Sequence, residues 1–387
     1  MSRITEYLHP TMCNWRHDIH RHPELGFEEH RTAKKVASLL QEWGIETHTG
    51  VGSTGVVGVI KRGTGSRMLG MRADMDALAI DEQNTFDHCS QHMGKMHACG
   101  HDGHSAMLLG AASYLADTKD FNGTVHFIFQ PDEEHGQGAQ AMIDDGLFER
   151  FRIDSIYGLH NMPGLPEGQF IVRPGSLMAS ESSFEIIIDG VGGHAAMPHR
   201  GIDPIVVGSQ IILALQTIVS RNLSAIEETA VVSATEFLTN GTVNVIPSQV
   251  TIKGDCRCFT EASLEKIEAS MERIVAGICH AAGAQYSFNF LNTFYPTVNS
   301  PRETEIAVRS AITVLGEGNV ETNCLPLTIS EDFSSMLRVK PGCYGLLGNG
   351  VESVGGCALH NPEYDFNDRI LEYGARYWVQ LVNDQLQ

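Results

Sequence analysis

Apolar residues recur along this chain with two different periods, and the alternation between them outlines its elements. Ala33, Val36, Ala37, Leu40 and Trp43 fall on one helical face, so the spacing predicts an amphipathic helix over 28–43, with Gly44 as its stop. Short apolar runs at 56–60 and 68–71 predict buried strands, joined by a glycine-rich turn at 63–66. The run at 124–129 is apolar almost throughout, as a strand covered on both faces requires, and 154–159 reads as another strand. Between them, Ala106, Met107, Leu108, Leu109, Ala112 and Leu115 predict a helix that follows His101. These strands run into polar loops: Asp74 and Asp76, then Gln130-Pro131-Asp132-Glu133-Glu134-His135-Gly136, then His160-Asn161-Met162-Pro163. In open α/β sheets, sites form at such C-terminal strand ends.

The texture changes near 174–180. Phe184, Ile186 and Ile188 alternate as in a half-exposed strand, and 203–219 reads as a strongly apolar helix. Strands follow at 231–237 and 250–259, then a helix at 263–282 and a strand at 285–290. That order, β-α-β-β-α-β, is the split arrangement of a ferredoxin-like sandwich. After Tyr295-Pro296 the α/β texture resumes, with a helix at 303–315, a strand at 342–347 and a last helix at 369–384. The expected organisation is one domain over 1–179 and 292–387, interrupted by a compact ferredoxin-like α+β domain over 180–291. No internal repeat or low-complexity tract interrupts it.

The length of 387 residues agrees with two domains. The formal net charge of -20 argues against nucleic acid or an anionic membrane as a partner. No apolar run reaches membrane-spanning length, and the N-terminal MSRITEYLHPTMCNWRHDIH has no apolar signal core, which leads to a cytoplasmic expectation. The nine scattered cysteines do not form a disulfide framework and are expected to be reduced.

Cys99 stands out among them, in Met96-His97-Ala98-Cys99-Gly100-His101-Asp102-Gly103-His104. Glycine tolerates tight turns, so a thiol and an imidazole two residues apart can converge on one point. Both are zinc-type ligands. The spacing matches no single-site zinc signature, and a buried cysteine beside surface histidines explains the stretch equally well. The rest of the chain adds weight. Cys99, His101, Glu133, Glu134, His160 and His360 all fall in strand-end or corresponding loops. Two metals about 3.5–4 Å apart need such an inventory, one bridging anion with N and O ligands on each side.

The chain resembles the aminoacylase, hippurate hydrolase and indoleacetyl-amino acid hydrolase group of binuclear metallopeptidase-like amidohydrolases. The matching segments are HRHPELGFEEHRTA, RADMDAL, GKMHACGHDGH, FQPDEE, GLHNMP, GGHAAMPH, TVNVIP and ALHNPEYDFND, in order over nearly the whole chain. The resemblance implies an α/β metallopeptidase-like catalytic domain with a central mixed sheet flanked by helices, and a ferredoxin-like lid that also mediates dimerisation. It implies a small-molecule N-acyl amino acid substrate (N-acetyl, N-benzoyl or related) cleaved at its amide by two divalent metal ions per chain. Zinc suits the thiolate, while manganese, nickel or cobalt also suit the other ligands.

Carried onto this sequence, the resemblance makes Cys99 the bridging thiolate and His101, Glu134, His160 and His360 the other metal ligands. Asp74 stands where related peptidases have a metal-binding histidine. Asp76 would orient a ligand histidine, and Glu133 would be the general base. From the lid, His194 would steady the oxyanion, in its own or a partner subunit, while Asn244 and Arg257 would hold the substrate carboxylate. His104, His97, His92 and His88 are read as capping or supporting residues, and His20 and His22 as packing near the site. A homodimer or homotetramer through the lid is expected.

The chain also departs from the group. Asp132 and His135-Gly136-Gln137 replace smaller, glycine-rich residues, Ala79 replaces proline, and Cys256 and Cys258 flank Arg257 in place of small hydroxyl residues. These leave every proposed ligand in place and bear on the substrate. The competing readings are a dipeptidase or carboxypeptidase of the same fold, and a metal- or ligand-binding protein that has lost catalysis. Glu133 beside Glu134 argues against the last, because a binding module needs no base.

Overall fold

The computed structural model describes residues 8–118, 120–352 and 355–387. The first seven residues of the segment read for a signal core lie outside the described residues. The chain divides into two compact units. The first runs to Leu177 and takes up Val298–Leu325 and Glu331–Gln387; the second holds Met178–Thr297 and Pro326–Ser330.

In the first unit an eight-stranded mixed sheet is built around five strands, β1 (Glu46–Val51), β2 (Gly55–Arg62), β3 (Met68–Asp74), β4 (Gly123–Gln130) and β5 (Ser155–Pro163). Their spatial order is β1-β2-β4-β3-β5, continued by Gly342–Gly350, Phe170–Ile171 and Val320–Glu321. β3, β4, β5 and Gly342–Gly350 run parallel, so their C-terminal ends share one edge of the sheet. β4 is buried at all eight positions, which is why it reads as an unbroken apolar run. β1 is an antiparallel edge strand of mostly polar residues, with only Val51 fully buried, so the apolar pattern gave no sign of it.

Helix α1 spans His9–Arg21, α2 His30–Glu42 and α3 His101–Thr118. α3 is buried on all sides from His101 to Ala112, because it packs against β3, α1 and the C-terminal helix Leu371–Gln385. An enclosed helix carries no polar stripe, so composition rather than periodicity marks it.

The second unit is an antiparallel four-stranded sheet in the order Ala230–Thr239, Gln249–Cys258, Glu181–Asp189, Gln285–Phe294. Helices Pro204–Thr217 and Glu261–Ala282 pack on it through Ile211, Leu215, Ile267 and Met271, over Ile186, Ile188 and Ile252. Asp203 and Thr260 cap the two helices by accepting from the backbone N–H groups of Ile205 and Ser263. The last strand runs past 291 because it pairs with Glu181–Asp189 as far as Phe294 opposite Glu181. Pro326–Ser330 joins the unit through Leu327, whose carbonyl accepts from Ala179 N–H at 3.0 Å. The unit is therefore wider than the 180–291 expected.

One stretch, Pro204–Asn222, is long and apolar enough by length and composition to cross a membrane, contrary to the reading of the sequence. Its Val207, Ile211, Leu215 and Ile218 are buried in the core of the second unit, as in the core helix of a globular domain.

Candidate metal centre

The parallel strand ends deliver the polar residues to one place. β3 ends at Asp74, two residues before Asp76; β4 leads into Asp132, Glu133 and Glu134; His160 sits near the end of β5. Gly100, at φ +94°, turns the chain into α3, so that Cys99 precedes the helix and His101 opens it. A Cβ at Gly100 would stand 2.2 Å from Asn161 Oδ1 and 2.6 Å from the Tyr364 hydroxyl, so only glycine fits. His360 is held beside this loop by its own N–H, which donates to the Ala98 carbonyl at 2.8 Å. It takes φ +63°, a left-handed conformation uncommon for a residue with a side chain.

Two ligand triads share one sulfur. Ligand atoms of Cys99, His101 and His160 lie within 4.8 Å of one another, and so do those of Cys99, Glu134 and His360. Cys99 Sγ is 3.4 Å from His160 Nε2, and His360 Nε2 is 3.4 Å from Glu134 Oε2. His101 Nε2 lies 3.9 Å from both Glu133 Oε2 and Glu134 Oε1.

The imidazoles are oriented from behind. His101 Nδ1 lies 3.0 Å from Asp76 Oδ1 and 2.9 Å from the Asp76 carbonyl; both only accept, so Nδ1 carries a proton and Nε2 is the nitrogen left to face the ligand cluster. The His160 Nδ1–H donates to the Asn161 carbonyl at 2.6 Å, which turns its Nε2 toward Cys99 in the same way. His104 is committed on both nitrogens: Nδ1 to Asp74 at 2.6 Å, and Nε2 to the Asn161 backbone N–H at 3.0 Å. It therefore buttresses the site and has no lone pair left for a metal.

The electrostatics fit a cationic group. His101 Nε2 and Glu134 Oε1 are buried without a hydrogen-bond partner. Burial, then Glu134 and Glu133, hold the Cys99 thiol well above its ordinary range. Burial, then Glu331 and Glu134, push Glu133 well above the usual carboxylate range, and burial with Asp76 raises Glu134 to about 7 against the opposing His101. Burial lowers His101, yet Asp74, Asp76 and Glu134 together lift it to about 10. Buried acids this close are costly without compensating positive charge, and the donor set of thiolate, imidazole and carboxylate suits a divalent transition metal.

Among the expected site residues, Cys99, His101, Glu133, Glu134, His160 and His360 are thus brought together, with Asp76 behind His101. His194, Asn244 and Arg257 belong to the second unit. There His194 lies exposed in a short ribbon opposite Val245, next to Asn244, whose carbonyl accepts from Ala195 N–H at 3.0 Å. Ala196 N–H donates to His194 Nδ1 at 3.1 Å, leaving Nε2 to carry the ring proton. Arg257 is ion-paired with Glu181 at 2.7 Å and Asp255 at 3.0 Å, and its Nη1 donates to Ser330 Oγ at 2.9 Å.

The sequence reading missed the buried network beneath the centre. Arg72 donates to Asp74 at 2.7 Å, Glu331 at 2.8 Å, Asp332 at 3.0 Å and Gln130 at 2.8 Å. Tyr344 Oη donates to Glu331, and Ala139 N–H to Asp332 at 2.8 Å. The only signal was an arginine and an acidic pair set in otherwise buried segments.

The Peptidase family M20/M25/M40 model matches residues 70–384. The chain belongs to this family. Its relatives include a hippurate hydrolase of Campylobacter jejuni, 42% identical over 95% of this chain and 94% of the relative. An N-acetylcysteine deacetylase of Bacillus subtilis is 37% identical over 97% of each chain. Among solved structures, a dinuclear metal-binding M20 peptidase of Bacillus subtilis superposes with a TM-score of 0.83 at 33% identity, covering 97% of each chain. The M20 fold, the hydrolase class and a metal-binding site follow for this chain.

Proposed function

We propose that this M20 hydrolase is an N-acyl-amino acid amidohydrolase, cleaving the amide to a carboxylic acid and a free amino acid. The observation that carries the reading is the pair of triads sharing Cys99, with His101 Nε2 and Glu134 Oε1 buried between them without a hydrogen-bond partner. The names of the hippurate hydrolase and N-acetylcysteine deacetylase relatives support the substrate class.

The residues divide the work. Cys99, His101, Glu134, His160 and His360 would hold two divalent ions, zinc being the one that the thiolate favours, with manganese, nickel or cobalt served by the same donors. When bound, such ions acidify water and polarise the carbonyl. Asp76 and the Asn161 carbonyl fix the tautomers of His101 and His160. Glu133, beside the ligand Glu134, takes the proton from the attacking water at its carboxylate and returns it to the leaving nitrogen. His194 Nε2–H is the donor for the oxyanion, and Asn244 with Arg257 takes the substrate carboxylate, for which Arg257 must exchange an existing ion pair.

These lid roles imply closure of the lid over the substrate and association through the lid as a homodimer or homotetramer. Exposed Val206 and Leu213 on helix Pro204–Thr217 support such a surface. The nine free cysteines support a reducing, cytoplasmic compartment.

The test is a hydrolysis screen of N-acetyl, N-benzoyl and indoleacetyl amino acids beside plain dipeptides, with metal added. Turnover of the N-acyl compounds and not of dipeptides is expected. Preference for dipeptides makes the protein a peptidase of the same fold. No turnover of either by the metal-loaded protein removes the proposal.

A further inference from the structure

A second place in the first unit gathers imidazoles, and the chemistry above does not use it. His22 follows the end of α1, and His92 lies in the segment between Leu78 and Met96, which links Asp76 to Cys99. A link this long with no regular structure of its own is unusual in a compact domain. Backbone pairing closes it at its ends, where Leu78 and Met96 exchange hydrogen bonds at 3.0 Å. Its middle is tied to α1 by Gln91 N–H, which donates to the Arg21 carbonyl at 2.9 Å. That bond sets the neighbours His22 and His92 against each other, with Nδ1 of His22 3.2 Å from Nε2 of His92 and the rings 68° apart.

Two nitrogens at this separation have the bite of one metal ion. With the usual Zn–N length of about 2.0–2.1 Å, an ion equidistant from both would subtend an angle of about 100°, near tetrahedral. We infer that His22 and His92 form an accessory site for a single divalent transition-metal ion, separate from the centre built on Cys99. The site clips the 78–96 segment to the end of α1.

His92 is exposed and His22 partly so, and water can therefore complete the coordination. Asp18, the acid acting on His22, is engaged by Arg31 at 2.9 Å and Lys35 at 2.6 Å, so the protein offers two ligands rather than three. The nearby guanidinium groups of Arg31 and Arg21 oppose a cation by charge. They also hold His22 in the neutral form that ligates, after the larger effect of burial, by lowering its pKa. In the metal-free state the two rings share one N–H···N hydrogen bond, which an ion displaces.

The test measures bound zinc per chain by equilibrium dialysis and elemental analysis, on the full-length protein with its metal centre already loaded. Wild type is expected to take up one more ion than His22→Ala, His92→Ala or the double variant, and the three variants are expected to be equal. His92→Gln keeps a polar side chain at the exposed position and should lose the same ion. Turnover should be unchanged in every variant. Zinc should also slow amide hydrogen exchange over 78–96 in wild type only. Equal zinc in wild type and variants overturns the inference. So does a double variant that loses two ions, since that describes independent surface histidines.

Discussion

Asp76 Oδ1 stands 3.0 Å from Nδ1 of His101, a pair of fully buried side chains in which the carboxylate decides which imidazole nitrogen faces the ligand cluster. The other oxygen of Asp76 accepts the backbone N–H of Glu134 at 2.9 Å. One side chain thus positions two proposed ligands, one at the start of α3 and one in the loop after β4. Asp76→Ala is expected to weaken metal affinity by about 10–100-fold, the usual effect of losing an orienting partner. Metal titration monitored by calorimetry checks this, and wild-type affinity in the variant would show that Asp76 does not orient a ligand.

Cys99 belongs to both ligand triads. Cys99→Ala should therefore lose at least one of two ions and nearly all activity, as measured by elemental analysis beside the hydrolysis assay. A variant with full metal content and full turnover would refute the shared-sulfur arrangement.

The neighbouring glutamates should separate by role. Glu133→Gln should keep its metal and fold while turnover falls by about 10²–10⁴-fold, the range for general acid–base catalysis. Glu134→Gln should instead lower metal affinity, because its Oε2 faces His360 and its Oε1 faces His101. Normal hydrolysis by Glu133→Gln would remove it as the base.

The residues proposed to act from the second unit are tested by complementation. His194→Ala should cut turnover strongly at unchanged metal content, and Arg257→Ala should mainly raise KM. Mixing inactive His194→Ala and Glu133→Gln chains should restore activity if one subunit lends His194 to another's centre. No recovery despite proven subunit exchange would count against donation of His194 between subunits.

A pH effect on stability is expected from His20. Burial lowers its pKa, but Asp102 and Glu82, at 2.8 and 3.2 Å, outweigh burial and raise it to about 9. The group's contribution is then fully present below the unfolded value of about 6.5 and is lost as pH rises through about 9. Its size is on the order of a few kcal/mol. Thermal melts from pH 6 to 10 should show falling stability in wild type and a flatter profile in His20→Gln. Parallel profiles would place the titration elsewhere.

Much of this organisation was legible in the chain itself. β4 could be read because a strand covered on both faces admits only apolar residues, and Phe184, Ile186 and Ile188 because one side of their strand is exposed. The ligands could be listed because thiol, imidazole and carboxylate cluster where strands end. The edge strand Glu46–Val51 could not be read, since a mostly polar edge carries little apolar pattern. Arg72 with Glu331 and Asp332 was equally hidden, because a buried ion network joins residues some 260 positions apart and leaves no local period. Residue type and periodicity determined the elements and the inventory of donors. Only the tertiary structure decided which donors share Cys99, that His104 is spent on Asp74 and Asn161, and that His22 meets His92. Those outcomes depend on distances and on which nitrogen holds a proton, and both are set by neighbours brought together in folding.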